Sequence, residues 1–278
     1  MSTMIQELSA KQERAAVLHQ LGRLAHDMGD LVEARRRYEQ SLAIERELGN
    51  RQGIAISLFQ LGLVAQATGD LTKAQRLYHE ARRIFDELGA RQEQVTVLHN
   101  LAVLAQNTGD LAEARRLYDQ SLALARELGD RQGIAISLHQ LAMLTRATGD
   151  LAEARRLYDQ SLALARELGD RPGIASTLHE LGLLAQATGD LAEARRLYHE
   201  SLGIERELGN RHGMAFTLAQ LGAFEQSMGN LSAALELTRE AETLMMELGN
   251  HQNVARIRKQ REHLEREMRQ AGKAPGRE

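Results

Sequence analysis

Residues 109–130 read GDLAEARRLYDQSLALARELGD, and residues 149–170 repeat this segment without a single change. The same offset of 40 residues applies along most of the chain, because Gly-Asp pairs occur at 29–30, 69–70, 109–110, 149–150 and 189–190, and Gly-Asn follows at 229–230. A fixed period of this length is typical of repeat architectures. The sequence therefore predicts six copies of one structural unit: 11–50, 51–90, 91–130, 131–170, 171–210 and 211–250.

Each copy contains two stretches with the apolar spacing of an amphipathic helix. In the third copy, Leu98 and Leu101 lie on one helical face ahead of Gly109. A glycine at this place is typical of the left-handed residue that ends a helix, and Asp110 after it is a preferred N-cap. Asp110 and Glu113 are expected to form a capping-box-like pair. Since no segment alternates with the two-residue period of a strand, the predicted fold class is all-α, with a helix A and a helix B in each copy.

The aromatic residues follow the same register. The five tyrosines occupy one slot of helix B: Tyr38, Tyr78, Tyr118, Tyr158 and Tyr198. A small residue recurs in helix A at Gly22, Gly62, Ala102, Ala142, Gly182 and Gly222. We expect the small residue to admit the tyrosine ring between the two helices, so the tyrosines are interpreted as structural.

Both ends of the chain depart from the repeat. Residues 1–10 are interpreted as an N-terminal helical remnant. Residues 251–270 combine one apolar stripe with many polar residues, which is typical of a capping helix. The basic residues of this segment alternate with glutamates, which favours a solvated surface over a nucleic-acid or lipid patch. Residues 271–278 are predicted to be a disordered tail.

Composition excludes several classes of function. The 278 residues contain no cysteine, which excludes disulfides, thiolate metal sites and cysteine nucleophiles. A formal net charge of −3 argues against a nucleic-acid partner, because phosphate binding needs a basic surface. No apolar run approaches the roughly 20 residues of a membrane span, and the first ten residues do not resemble a signal peptide. We therefore expect a cytoplasmic protein without a membrane partner.

The chain also lacks the usual catalytic signatures. There is no phosphate loop, no GxGxxG, no HExxH and no GxSxG. Acidic residues such as Glu113 and Asp119 recur from copy to copy, whereas a catalytic constellation is normally unique. The prediction is a protein that is not an enzyme and that has no cofactor and no metal site.

The pattern resembles the tetratricopeptide repeat. Leu101-Ala102, Gly109, Ala114, Tyr118 and Ser121 fit the family motif of Leu and Gly/Ala in helix A, Gly at the turn, and Ala, an aromatic residue and Ala/Ser in helix B. The period of 40 instead of 34 resembles the arrays of spindle-orientation adaptors and of bacterial signalling ATPases and regulators. The resemblance implies an α-solenoid: a right-handed superhelix of six hairpins plus the capping helix, with helix A residues lining a concave groove.

Three rows of helix A are predicted to face that groove. The histidine row is occupied by His19, Phe59, His99, His139 and His179. One turn later lies an apolar row, which includes Arg23, Val103, Met143 and Leu183. A further turn later lies an amide row with Gln66, Gln106, Arg146 and Gln186. These rows vary between copies while the core slots do not, which suits a surface that recognises a partner.

Three interpretations of the histidine row stay open. One histidine was copied by tandem duplication and has no present role. Alternatively, His and Gln side chains donate hydrogen bonds to a partner, and affinity for an acidic partner would then rise below about pH 6.5. Metal binding is the third, although neighbouring helices packed 8–10 Å apart make it hard for two imidazoles to reach one zinc ion.

The leading functional hypothesis is an interaction scaffold that binds a peptide or helix of another protein. Alanine at His99, Gln106, His139 and Arg146 is expected to abolish binding without changing the melting temperature. The alternatives are a sensor or regulatory array of a bacterial signalling system, and a self-associating repeat protein. The expected oligomeric state is a monomer or a weak homo-oligomer.

Overall fold

The structure, a computed structural model, describes residues 2–271, and in that range it contains thirteen α-helices and no β-strand. The helices are α1 Ser2–Asp27, α2 Leu31–Leu48, α3 Arg51–Ala67, α4 Leu71–Leu88, α5 Arg91–Asn107, α6 Leu111–Leu128, α7 Arg131–Ala147, α8 Leu151–Leu168, α9 Arg171–Thr188, α10 Leu191–Leu208, α11 Arg211–Ser227, α12 Leu231–Glu247 and α13 His251–Ala271. Odd-numbered helices up to α11 are the predicted A helices, and even-numbered helices are the B helices. The all-α prediction is confirmed.

Helix ends follow from the local sequence. Gly109 has φ +84°, a left-handed conformation that glycine adopts without steric cost, and the amide of Asp110 donates to the carbonyl of Ala105. The side chain of Asp110 then accepts the backbone N–H of Glu113 at 3.0 Å, which caps α6. The carboxylate of Glu113 does not complete a capping box, because it binds Arg116 at 2.7 Å instead.

The chain divides between Ser137 and Leu138, inside α7, into two compact units. In the first unit, α1–α2, α3–α4 and α5–α6 are antiparallel hairpins, and each hairpin packs on the next. In the second unit, α9–α10 and α11–α12 are the hairpins, α8 packs on α9, and α13 covers α12. The fold is that of an α-solenoid, because consecutive helix pairs stack in chain order.

The tyrosine slot forms the centre of each hairpin core. All five tyrosine side chains are fully buried. The helix A backbone comes so close that a Cβ built on Gly182 would lie only 2.7 Å from the ring of Tyr198. The small-residue row in helix A therefore admits the tyrosine, as predicted from the sequence.

The ends of the described chain differ in how they are covered. Residues 2–10 continue directly into the first repeat as part of α1. Val17, Leu21 and Leu24 of this helix are exposed. At the other end, Ile257 and Leu264 of α13 are buried in core clusters that they share with α12. Of the predicted tail, 271–278, residues 272–278 lie outside the described residues.

Candidate partner-binding face of the A helices

The thirteen predicted partner-binding residues all lie on A helices. Arg23 is exposed and the other twelve are partly buried. The first unit contains His19 and Arg23 on α1, Phe59 and Gln66 on α3, and His99, Val103 and Gln106 on α5. The second unit contains His139, Met143 and Arg146 on α7, and His179, Leu183 and Gln186 on α9. Partial burial means that many of these side chains also contact the hairpin core.

The histidine row packs against the tyrosine slot. In each of five hairpins the ring in this row lies 5.4–5.8 Å, centroid to centroid, from the tyrosine of its own helix B. Phe59 makes the same contact with Tyr78 that His99 makes with Tyr118. The ring itself therefore has a packing role that does not need imidazole nitrogens.

The imidazole nitrogens are partnered differently from one repeat to the next. Thr177 donates its hydroxyl hydrogen to the carbonyl of Gly173, so the contact of 3.1 Å between Oγ1 of Thr177 and Nδ1 of His139 has the imidazole as donor. The neutral ring of His139 is then left with Nε2 as a hydrogen-bond acceptor. This polarity is the reverse of the donating role that the sequence suggested.

His179 repeats this arrangement, and His99 departs from it. Nδ1 of His179 lies 3.0 Å from Oγ1 of Thr217. For His99 of the third repeat, the corresponding hydroxyl is that of Ser137 in the fourth repeat, and it is shared with Ser121. Nδ1 of His99 is therefore buried without a hydrogen-bond partner among the described residues.

Burial lowers the pKa of the four histidines in the row. Desolvation of the charged imidazolium is the main cause for His19, His99, His139 and His179, and for His19 the positive charge of Arg23 adds to it. Because the pKa of each ring lies below the ordinary histidine value, the neutral form is favoured at pH 7. An acid-strengthened interaction through this row would accordingly need a lower pH than the 6.5 expected from sequence.

The amide row holds the tyrosine hydroxyls. Tyr78, Tyr118 and Tyr198 donate to the side-chain oxygens of Gln66, Gln106 and Gln186 over 2.8, 3.2 and 3.0 Å. Each glutamine thus spends its carbonyl oxygen inside its own hairpin and keeps its NH₂ group for other partners. The row has a structural function that the sequence pattern alone did not reveal.

Arg146 replaces glutamine in the fourth repeat, and a different acceptor takes over. A guanidinium cannot accept a hydrogen bond, and Tyr158 donates instead to Glu180 of α9 at 3.1 Å. Arg146 pairs with the same carboxylate at 3.1 Å. Alanine at Gln106 and Arg146 would therefore remove internal bonds. These bonds favour a lower melting temperature for the alanine variant, in place of the unchanged one expected from the sequence.

Two cavities occupy equivalent places on this face, one in each unit. The α5–α7 cavity has a volume of about 300 Å³ and is lined by residues that include Val95, Thr96, His99, Asp130 and Ile136. The α9–α11 cavity has a volume of about 410 Å³ and is lined by residues that include Ala175, Ser176, His179, Asn210 and Phe216. The positions differ by 80 residues, so the same inter-repeat space is present twice with different chemistry.

The α9–α11 cavity contains acidic residues that are not among the predicted partner-binding residues. Glu180 and Glu205 both line it. Glu205 occupies a helix B slot that holds Ala125 and Ala165 in the two preceding repeats. The replacement of a small core residue by a glutamate was the feature of the sequence that could have pointed to this cavity.

A more open cavity of about 900 Å³ lies in the second unit, beside the turn between α11 and α12. Three of its polar lining residues pair with one another, because Arg195 and Asn230 both donate to the carboxylate of Glu225. Among the described residues, no group of three potential ligands is arranged to hold a metal ion. In the same part of the chain, no helix is long and apolar enough to cross a bilayer.

The sequence matches the family model of the tetratricopeptide repeat at residues 13–87, 93–167, 133–207 and 173–247. The chain belongs to the tetratricopeptide-repeat family. The resemblance inferred from the repeated motif is thereby confirmed. No curated protein sequence matches this tetratricopeptide-repeat chain.

Several solved structures share the fold. BtubC (BKLC) from P. vanneervenii superposes with a TM-score of 0.63 at 20% identity, over 86% of this chain and 92% of that one. A Rap protein complexed with competence and sporulation factor gives 0.68 at 13% identity, over 97% and 80%. The tetratricopeptide-repeat sensor protein PH0952, a signal transduction ATPase from Pyrococcus horikoshii, gives 0.69 at 14% identity, over 94% and 41%. At these identities the likeness concerns the fold alone.

Proposed function

We propose that this chain is a non-enzymatic scaffold that binds a peptide or helix of a partner protein on the face of its A helices. The observation that supports this most directly is the pair of equivalent cavities, whose lining differs between the units while the tyrosine and alanine core slots around them stay the same. A constant frame with variable lining suits selective recognition. Apolar contacts at positions such as Ile136 and Phe216 would provide affinity, and polar groups would orient the partner.

The free polar groups on this face match the needs of an extended peptide. Gln66, Gln106 and Gln186 keep an NH₂ donor, and the neutral ring of His139 keeps an Nε2 acceptor. A peptide backbone presents both a carbonyl acceptor and an N–H donor in each residue. Donors and acceptors are therefore both available for backbone recognition.

Selection from a displayed random-peptide library against the full chain tests this proposal. Selected peptides should bind an Ile136→Glu variant at least tenfold more weakly, because Ile136 lines the α5–α7 cavity and is 41% exposed, so that the fold tolerates the change. Val32→Glu is the matched control, since Val32 is an exposed residue of α2 in the same unit. Failure to select any peptide, or equal binding by both variants, would reject the proposal.

A sensor or regulatory array is the second candidate. The specific observation in its favour is the shared fold with the Rap protein complexed with competence and sporulation factor and with the tetratricopeptide-repeat sensor of the signal transduction ATPase. A regulatory array would bind its ligand and change its contacts with a second protein. Comparison of hydrogen exchange with and without a selected peptide tests this: a change confined to the bound face would favour the passive scaffold. The oligomeric state, a monomer or a weak homo-oligomer, stays a prediction.

A further inference from the structure

Three glutamates of the second unit are more than nine-tenths buried, and they differ in their partners. Glu225 is bound by Arg195 at 2.7 Å, and Glu242 is bound by Arg258 and Arg261 at 2.8 and 2.7 Å. Glu205, which is 4% exposed, has no ion-pair partner among the described residues. Burial of a carboxylate is costly unless a cation or several donors compensate it.

The hydrogen bonds of Glu205 are also incomplete. Its Oε1 accepts the hydroxyl hydrogen of Thr217 at 3.3 Å, and within residues 2–271 its Oε2 has no hydrogen-bond partner. The side chain lines the α9–α11 cavity, where it lies with His179 and Phe216. A buried carboxylate without a cationic partner therefore lines a cavity of about 410 Å³.

Packing alone does not call for a glutamate in this slot. Ala125 and Ala165 fill it in the third and fourth repeats and are fully buried or nearly so. The following N-cap residue changes together with the slot: it is Asp130 after Ala125, and it is Asn210 after Glu205. The fifth repeat therefore carries its carboxylate in the helix B slot and an uncharged residue at the N-cap, as the first repeat does with Glu45 and Asn50.

The other charged groups near Glu205 have their own partners. On α9, Glu180 is paired with Arg146, and burial keeps His179 neutral by lowering its pKa. On α10, Arg206 is paired with Glu240. On α11, the exposed His212 is the remaining titratable residue of the cavity lining. Burial raises the pKa of Glu205 to about 7, as expected for a carboxyl group that lacks a cation.

We propose that the α9–α11 cavity binds a cationic side chain, lysine or arginine, of a peptide partner, with Glu205 as its counter-ion. This proposal deepens the proposed scaffold function and rests on it, because it gives the chemistry of one side chain of the partner. The cation would supply the missing partner of Oε2, and its aliphatic or guanidinium portion would pack against the rings of Phe216 and His179. Binding of a cation favours the ionised carboxylate, so affinity should rise as the pH increases from 6 to 8.

The probes for the test are Nα-acetyl-arginine methylamide and Nα-acetyl-lysine methylamide, which keep their charged side chains. Nα-acetyl-norleucine methylamide is the uncharged control. Each is titrated into the ¹⁵N-labelled full chain and followed by amide chemical shifts. The cationic probes should shift the amides of Gly213, Phe216 and Thr217, with at least threefold tighter binding at pH 8 than at pH 6. The norleucine probe should leave these amides unchanged.

Two controls are available in the same chain. The α5–α7 cavity has Ala125 in the glutamate slot, and its Asp130 already accepts bonds from Gln92 and from the amide of Gly133. The amides of Gly133, Ile136 and Ser137 should therefore move little. Glu205→Gln keeps the side-chain shape and should weaken cation binding at least fivefold; Glu205→Ala places the residue of the neighbouring repeats in the slot and should have the same effect without unfolding.

The outcomes separate this inference from the scaffold proposal. Equal shifts with the norleucine probe, or shifts that persist in Glu205→Gln, would overturn the cation site. The scaffold function would still stand if library peptides bind in an Ile136-dependent manner. Cation binding that depends on Glu205 would uphold the site even if no peptide were selected. A pH dependence of cation binding that remains in Glu205→Gln would overturn the assignment to Glu205.

Discussion

Tyr158 donates its phenolic hydrogen to Glu180 over 3.1 Å, which links the core of one repeat to the A helix of the next. In the other repeats with a bonded tyrosine, the acceptor is a glutamine of the same hairpin. The exchange follows from Arg146, which occupies the glutamine position and pairs with Glu180 itself. A single substitution on the partner-binding face of the A helices thus replaces a bond within one hairpin by a bond between repeats.

This three-residue network predicts non-additive mutations. Glu180→Ala leaves both Tyr158 and Arg146 without their partner and should lower the free energy of unfolding by about 1–3 kcal/mol. Arg146→Gln restores the side chain used in the other repeats, so the double variant should be more stable than Glu180→Ala alone. Urea unfolding of the two single variants and the double variant measures the coupling. Strictly additive effects would contradict the network.

Two tyrosines provide a matched pair for the hydroxyl contribution. The hydroxyl of Tyr78 is bonded to Gln66 at 2.8 Å, whereas that of Tyr38 is buried without a partner in the described part of the chain. Tyr78→Phe should lower the free energy of unfolding by about 0.5–1.5 kcal/mol, and Tyr38→Phe should leave it unchanged or raise it slightly. Thermal unfolding followed by circular dichroism measures both. Equal losses would mean that the hydroxyl bonds are unimportant.

The contribution of His99 to the free energy of unfolding is expected to depend on pH. Burial lowers its pKa, so the unfolded chain takes up a proton first, and the free energy of unfolding should fall as the pH drops below about 6.5. His99→Phe places in this row the ring that Phe59 already supplies and removes the unpartnered Nδ1. We expect a gain of about 0.5–2 kcal/mol, larger at pH 5.5 than at pH 8. Denaturant titrations at both pH values measure it, and a gain independent of pH would refute the assignment.

For Glu205 we expect the opposite dependence of the free energy of unfolding on pH. Its pKa in the folded chain is raised from 4.5 to about 7, so the folded state holds the proton more tightly than the unfolded state. The free energy of unfolding should therefore fall as the pH rises from about 4.5 to about 7, by up to about 3 kcal/mol, and stay low above that range. Glu205→Gln should remove this decline.

The exposed Glu207 of the same helix serves as the control for that measurement. Glu207→Gln breaks a surface ion pair with Arg171, which contributes little to stability. Its profile should follow that of the unaltered chain. A decline that persists in Glu205→Gln would assign the pH dependence to another group.

The sequence predicted the helices because their ends are encoded locally. Gly109 and Asp110 end one helix and begin the next through contacts between residues three to five apart, and those contacts depend only on neighbouring residues. The tyrosine slot and its small-residue partner were also predictable, because both recur with the repeat. The prediction that the carboxylate of Glu113 completes a capping box was wrong, because this carboxylate binds Arg116 one turn later.

The hydrogen-bond partners of side chains on the partner-binding face of the A helices could not be predicted in the same way. The bond between His139 and Thr177 joins residues 38 positions apart, and the bond from Tyr158 to Glu180 joins residues 22 positions apart. Such pairs depend on how successive hairpins pack, which the period does not specify. Glu205 illustrates the limit, because its sequence shows only a charge in a core slot.

The repeat, the all-α class and the family of this protein can all be read from its amino-acid sequence, because they depend on local helix signals and apolar spacing that recur every 40 residues. Which groups on the A helices are already bonded within the protein, and which remain available, becomes visible only in the folded chain. Hydrogen bonding and burial are set by side chains that meet across packed helices, and these side chains are distant in the sequence.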